Sequence, residues 1–290
     1  MVGDVRSLLF VHAHPDDETL ATGGTIAHYA ARSGVEVTLV TCTLGEEGEV
    51  IPAELGMLAV DHADQLGGYR VGELAAACAA LGVTDHRFLG GAGRWRDSGM
   101  VLSGHGTRAA ALDVLHPRAF AHPDAFADEV DALAAVLDEL RPTAVVTYAA
   151  DGGYGHPDHV RAHDVTVAAV ARVPARLFHV VTARSLRDAG VAALAGHVAP
   201  PLRLPELDEL PGVADEAVTT RVDVSGVRAA RVAALRAHAT QIVVQSGGER
   251  GAPVVHALSN LIALPFTEQE CYVAAEGTVA APDDLLMEGA

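Results

Sequence analysis

The 290-residue chain contains no lysine; its 20 basic residues are all arginine. That absence removes Schiff-base lysine chemistry and the phosphate-binding P-loop, whose Gly-Lys-Ser/Thr core brings a lysine to the phosphates. Cysteine is scarce too: Cys42, Cys78 and Cys271 are odd in number, far apart, and form no Cys-x-x-Cys pair. Neither a disulfide framework nor a cysteine zinc site is expected, and a reducing compartment fits. No apolar stretch approaches the ~20 residues of a membrane span, and residues 7–11 are too short for a signal-peptide core. A soluble, cytoplasmic protein is expected. Positive charge is also in deficit, with a net charge of -18, which argues against nucleic acid or an anionic membrane as partner, since both need clustered cations.

What is present is an ordinary globular balance, 50% hydrophobic and 20% charged, in a chain long enough for one large core. Apolar β-branched runs at 7–12, 35–41, 144–148 and 177–182 read as strands, with a short one at 86–89. Helical spacing appears at 24–33, 59–66, 72–81, 123–140 and 158–171. Residues 90–123 are rich in Gly, Arg and Asp without periodicity and read as a long functional loop. Strand and helix alternate to about residue 195, which predicts an α/β fold: a Rossmann-like, doubly wound, mostly parallel sheet with helices on both faces. Residues 196–290 are less regular, with a Pro-rich link, strands near 218–224 and 270–274 and a helix at 227–238. They are expected to form a smaller C-terminal subdomain of the same single domain.

One short word is written twice. His14-Pro15-Asp16-Asp17 follows the first strand, and His156-Pro157-Asp158-His159 follows the strand at 144–148. In open α/β sheets the ligand site lies beyond the carboxyl ends of the strands, so two distant segments can meet there. His before Pro is pushed to an extended conformation, and Pro suits the first turn of a helix. His14, Asp17 and His159 then offer a His₂Asp set of zinc type with room for water. Asp16 is left as the carboxylate free to take a proton from that water. His156 can give a proton or face a developing oxyanion, and Tyr154, on its glycine-rich segment, can polarise a carbonyl oxygen. The set suits metal-assisted amide hydrolysis.

These stretches, with VTCTLGEEGEVI, DHADQLGGYRVGEL and LGGAGRWRDSGM, resemble the LmbE/PIG-L family of zinc-dependent N-acetylglucosaminyl deacetylases over roughly residues 7–165. The resemblance is nearest to members that act on an N-acetylglucosaminyl-inositol in mycothiol biosynthesis. It implies one divalent metal, Zn²⁺ or else Fe²⁺, held by His14, Asp17 and His159, with Asp16 as base. It implies that His156 and Tyr154 stabilise the tetrahedral intermediate, and that the protonated base or His156 supplies the leaving amine with a proton. Arg70 and Asp97, with Glu47 beside them, match positions that bind the sugar and inositol hydroxyls of a small-molecule substrate. Tyr148-Ala149-Ala150-Asp151 departs from the family, where Tyr-Asp-Pro is expected, and Asp151 receives no role.

Several features have plainer readings. His12 reads as a core histidine. His163 echoes His-x-x-x-His zinc helices but lacks their glutamate. Gly90-Gly91-Ala92-Gly93 lacks dinucleotide-binding spacing. Glu46, Glu47 and Glu49 read as solvated carboxylates, and the arginines near 228–236 as a solvated helix face. Trp95 suits a sugar platform or a hydrophobic anchor equally. The competing functions are cleavage of mycothiol S-conjugates, a dinuclear hydrolase of metallo-β-lactamase type and a non-catalytic sugar-binding protein. The dinuclear motif wants His where Asp17 stands. Oligomeric state is not legible.

Overall fold

In the computed structural model, which describes residues 6–103, 108–206, 209–247 and 252–287, the run before the first His-Pro-Asp word forms β1 (Arg6–His12). Leu8 and Phe10 face one core cluster while Leu9 and Val11 face another. A strand buried on both faces reads as an unbroken apolar run, and this one does. The chain continues through α1 (Asp17–Ala30), β2 (Val35–Thr41), α2 (Leu66–Leu81) and β3 (Asp85–Phe88). A small hairpin follows, β4 (Val101–Ser103) with β5 (Arg108–Ala110), then α3 (Phe126–Leu140), β6 (Ala144–Tyr148), α4 (Pro157–Arg172), β7 (Arg176–Val181) and α5 (Arg184–Ala193). The last third holds β8 (Thr220–Asp223), α6 (Arg228–Ala237), β9 (Val243–Gly247), β10 (Val254–Ala257), β11 (Ala263–Leu264) and β12 (Gln269–Ala274).

Seven strands form one sheet in the order β3-β2-β1-β6-β7-β12-β8. The first five are parallel, and β12 runs antiparallel to both β7 and β8. The expected doubly wound, mostly parallel α/β sheet is therefore present. One cluster packs α1, α2 and α6 residues such as Ile26, Leu74 and Ala234 on one face. The other packs α3 and α4 residues such as Leu133 and Val165 on the opposite face. The last third supplies two strands of the main sheet as well as a separate three-stranded sheet, β11-β10-β9. Among the described residues no helix is long and apolar enough to cross a membrane.

Local differences from the sequence expectation have identifiable causes. No helix spans 59–66; residues Ala53–Leu58 form a 3-10 turn, and α2 begins at Leu66 rather than at 72. Gly67 and Gly68 look like a breaker, but a Cβ on Gly67 would lie 2.7 Å from Glu46 Cγ, so the glycine serves close packing inside the helix. Trp95 is buried against Phe120 and is an anchor rather than an open platform. Arg231 is buried over the Phe266 ring at 3.9 Å and donates to the Thr267 carbonyl, so the arginine-bearing helix is not simply solvated. α5 and the small sheet were not anticipated.

Gly23-Gly24 likewise hides seven residues of α1, which starts at Asp17 rather than at 24. The glycines are there because another element comes in. Glu270, on β12, accepts hydrogen bonds from the backbone N–H groups of Gly24 and Thr25 at 2.8 and 2.7 Å, in the middle of α1. A Cβ on Gly24 would stand 2.6 Å from Val224 Cβ and 2.7 Å from Glu270 Oε1. Gly24→Ala is expected to cost about 1–3 kcal/mol, the usual size of an overpacking penalty, read as a lower urea midpoint at unchanged slope. Gly68→Ala, where a Cβ meets nothing, is the control and should be neutral or stabilising; equal losses at both positions would refute the close-approach account.

Candidate metal centre

β1 and β6 are neighbours, but the chain leaves them in opposite directions, toward β2 and β3 on one side and β7 on the other. This is the switch point of the sheet, where a crevice opens beyond the strand ends. Both His-Pro-Asp words lie there. Their local structures differ. In the second word Pro157 is the first residue of α4, and His156 caps it, its Nδ1 accepting the Asp158 N–H at 3.1 Å. In the first word Pro15 lies outside the helix, contrary to the expected first-turn position, and Asp16 is the N-cap with φ 111°. A non-glycine residue in that region is held there by its surroundings at a cost of about 1–3 kcal/mol.

The side chains converge. Asp17 reaches both words: its Oδ2 is 3.2 Å from His14 Nδ1 and accepts the His14 backbone N–H at 2.9 Å, while its Oδ1 is 3.2 Å from His159 Nε2. His14 Nε2 lies 3.2 Å from Asp158 Oδ2 and 3.6 Å from Asp97 Oδ1. His156 sits edge-on to His14, with ring centres 4.6 Å apart. Tyr148 stacks on His159 at 4.2 Å, and Tyr154 meets that ring edge-on at 5.0 Å. All but Tyr154, which is half-buried, are buried. Among the described residues two groups have donor atoms close enough to hold a metal ion: His14, His156 and His159, and His14, Asp97 and Asp158.

Hydrogen-bond partners decide the protonation of each ring. His159 Nδ1 is 3.1 Å from the Gly152 carbonyl, which can only accept, so this nitrogen carries the proton. The ring's other nitrogen, Nε2, is buried 3.2 Å from Asp17 Oδ1 and makes no aligned hydrogen bond among the described residues. In His156 the order is reversed: Nδ1 accepts from a backbone N–H, so Nε2 carries the proton. Burial, reinforced by His14 and His159, pushes the His156 pKa down to about 2. Burial also opposes charge on His14, but Asp97, Asp158 and Asp17 hold its imidazolium well above the ordinary histidine range. For Asp17 burial opposes ionisation, yet His159 and His14 keep its carboxyl well below the usual range. Burial, partly offset by Arg70, pushes Asp16 up to about 6.

The other expected residues surround this cluster. Arg70 is buried; its guanidinium donates to the Gly45 and Pro15 carbonyls and pairs with Asp16 Oδ2 at 3.1 Å. Asp97 accepts the N–H groups of Gly99 and Glu47. Glu47 pairs with Arg96 at 2.9 Å, and Glu46 is buried, accepting the Asp97 N–H; only Glu49 of this trio is exposed, so the solvated expectation fails for Glu46 and Glu47. His12 is buried, with one ring nitrogen on Tyr148 Oη and the other on Thr22 Oγ1. His163 contacts the Tyr148 carbonyl instead. Asp151 is exposed and accepts the Gly153 N–H, a turn residue.

Sequence reasoning missed Asp158. It is fully buried, accepts from His14 Nε2 and from the Ser98 N–H, and leaves Oδ1 without a partner among the described residues. Its position in the second word was the available signal. Beside Asp17, His159 and Tyr154 a cavity of about 350 Å³ runs past Leu20, Val180 and Val213.

The family model described as GlcNAc-PI de-N-acetylase matches residues 9–170, more than half of the chain. The 1D-myo-inositol 2-acetamido-2-deoxy-alpha-D-glucopyranoside deacetylase 1 of Saccharopolyspora erythraea is 59% identical, covering 93% of this chain and 89% of that protein. The deacetylase of the same name from Actinosynnema mirum is 57% identical, covering 97% and 96%. Among solved structures, a deacetylase–teicoplanin complex matches with TM-score 0.53 at 23% identity, covering 94% of this chain and 100% of that one. The 4-carboxy-2-hydroxymuconate hydratase of Pseudomonas putida matches with TM-score 0.55 at 17% identity, covering 96% and 100%. These last two share the fold, and since one is a hydratase the fold alone does not choose the reaction. The family model and the near-full-length relatives do what the fold cannot: the chain belongs to the GlcNAc-PI de-N-acetylase (PIG-L) family.

Proposed function

We propose that the protein is a metal-dependent N-deacetylase that hydrolyses 1D-myo-inositol 2-acetamido-2-deoxy-α-D-glucopyranoside to the free amine and acetate, a step of mycothiol biosynthesis. The observation that carries the metal is the buried His159 Nε2, which faces Asp17 Oδ1 at 3.2 Å without an aligned hydrogen bond. Two buried donor atoms at that spacing, with no aligned hydrogen bond between them, are placed as a shared cation would hold them. His14 Nδ1 faces the other oxygen of the same carboxylate at 3.2 Å. Zinc bonds of about 2.0–2.2 Å in tetrahedral array leave neighbouring donors roughly 3.4 Å apart; each of the two contacts matches that spacing, through different oxygens of Asp17, and His14, Asp17 and His159 are the ligand set we propose. With Nδ1 given to the ion, His14 Nε2–H donates to Asp158, the carboxylate–histidine–metal arrangement that fixes a ligand's orientation. His156 does not fit as ligand, because its Nδ1 is already taken by a backbone N–H and Nε2 bears the proton. The substrate is supported by the relatives of 57–59% identity that carry that name.

When bound, a divalent ion polarises the acetamide carbonyl and acidifies water. The chain's residues do the rest. Asp16, a carboxylate beside the cluster and not part of the ligand set, takes a proton from the attacking water. His156 Nε2–H and the Tyr154 hydroxyl face the oxyanion as it develops. Asp16, protonated in that step, passes the proton to the leaving nitrogen, while His156, which burial keeps neutral, serves as the Nε2–H donor to the oxyanion. Arg70 holds Asp16 in place, and Asp97 and Glu47 border the sugar hydroxyls. The substrate enters through the cavity beside Asp17 and Tyr154.

Purified, zinc-loaded protein should release primary amine from this substrate. Asp16→Ala should lower the rate by about 10²–10⁴-fold, the usual span for a general base, while zinc stays bound. No release by the parent protein, with cleavage of a mycothiol S-conjugate instead, would replace the substrate by that amide. Metal analysis separates the two candidate ligand sets: His159→Ala should lose both zinc and activity, and His156→Ala activity alone. Zinc lost from His156→Ala and kept by His159→Ala would invert the assignment. Asp158→Asn should weaken zinc affinity or activity by about 10–100-fold, as removal of a ligand's supporting carboxylate does; unaltered values would show that His14 needs no such support.

A further inference from the structure

We propose that Glu18 and His238 form a positioning pair that fixes the peptide bearing Asp16, so that the last third of the chain serves the hydrolysis without touching the substrate. The inference rests on the reading of Asp16 as the base.

The Pro15–Asp16 peptide is gripped at both ends. Its carbonyl accepts from Arg70, whose guanidinium also pairs with Asp16 Oδ2 at 3.1 Å. Its N–H donates to Glu18 Oε2 at 3.0 Å. The plane of that peptide sets φ of Asp16, which stands at 111°, a conformation a non-glycine residue keeps only when its neighbours over-determine it. Release of either end lets the peptide turn and carries the Asp16 carboxylate with it. Glu18 Oε1 in turn accepts from the neighbouring Thr19 hydroxyl at 2.5 Å and from His238 Nε2 at 2.7 Å, and His238 is the partner that comes from elsewhere in the chain; the Glu18 and His238 side chains are fully buried. A carboxylate is the group that can accept from a backbone N–H and an imidazole at once, and its burial is tolerable because the partner charge comes with it.

His238 ends α6, 220 residues along the chain from Glu18. The turn that carries it is anchored separately. Thr240 donates through N and Oγ1 to the Glu73 carboxylate, Ile51 N donates to the Thr240 carbonyl, and Gln241 donates to the Glu49 carbonyl. Loss of the His238 imidazole therefore leaves the turn in place, and loss of the Thr240 hydroxyl strains the turn without reaching Asp16.

The experiment compares zinc-loaded wild type, His238→Ala, His238→Gln and Thr240→Ala in kcat, KM, zinc content, urea midpoint and NMR hydrogen exchange of the Asp16 amide. His238→Ala should lower kcat by about 30-fold or more, within the ~100-fold that a small misplacement near the chemistry can cost. KM and zinc content should stay put, while the Asp16 amide exchanges roughly tenfold faster as its opening becomes easier. His238→Gln, whose amide N–H can still donate to Glu18, should recover most of both. Thr240→Ala should lower the urea midpoint alone. An unchanged Asp16 exchange in His238→Ala overturns the pair, as does a parallel loss of kcat in His238→Ala and Thr240→Ala. The exchange measurement needs no turnover, so a wild type that releases no amine strikes the reaction and leaves the pair to be judged on exchange. Should His238→Ala not fold, Glu18→Gln is compared in its place. It leaves one oxygen for three donors, the Asp16 N–H, the Thr19 hydroxyl and His238 Nε2, and should raise Asp16 exchange in the same way.

Discussion

Four carboxyl groups, Asp16, Asp17, Asp97 and Asp158, are buried within one small volume at the end of the sheet. Packing acids at that density in a low-dielectric interior is costly unless positive charge comes with them. His14 touches three of the four, Arg70 holds the other, and His159 faces the remaining oxygen of Asp17 at 3.2 Å. Much of the local architecture follows from this constraint. Backbone donors are aimed at the same acids: the N–H groups of Ser98 and Gly99 meet Asp158 and Asp97. The irregular segment that supplies them is itself pinned by buried Trp95. The balance separates the acids by role, with Asp17 kept ionised and Asp16 pushed up to about 6.

The repeated word turns out to be spelled alike and used differently. Its third letter is Asp in both copies, yet Asp16 lies on Arg70 and Asp158 on His14. Its first letter is His in both, but His14 offers Nδ1 to Asp17, whereas His156 spends Nδ1 on capping α4. The proline explains part of this. Pro157 opens a helix, so His156 becomes its cap. Pro15 does not, and the chain reaches α1 only through the strained Asp16.

This asymmetry also marks what the sequence could and could not disclose. β1, β2 and β6 were legible because strands buried on both faces write uninterrupted apolar runs, and the two words were legible because each directly follows such a strand or nearly so. Asp158, Glu18 and His238 were opaque, since their partners lie far along the chain and a carboxylate gives no local sign of what it will accept. Gly23-Gly24 and Gly67-Gly68 misled for a related reason: each looks like a break in a helix, and Gly24 and Gly67 are instead places where a distant residue packs against one. Glu270's grip on α1 and the place of β12 in the main sheet belong to the same class of nonlocal fact, although β8 and β12 themselves were legible as strands.

The position of β12 between β7 and β8 has a consequence for the order of events at the ribosome. Domains are synthesised from the N-terminus, so β7 is made about ninety residues ahead of the strand that covers its edge. For that interval the nascent sheet ends in an unpaired, partly apolar strand, the kind of edge that recruits other chains. The parallel half of the sheet, with both His-Pro-Asp words, is complete in sequence long before it is closed. A chain released early would carry every acid and imidazole of the buried cluster together with an adhesive flank, so the end of translation, rather than the assembly of those acids and imidazoles, is the moment at which the edge is covered.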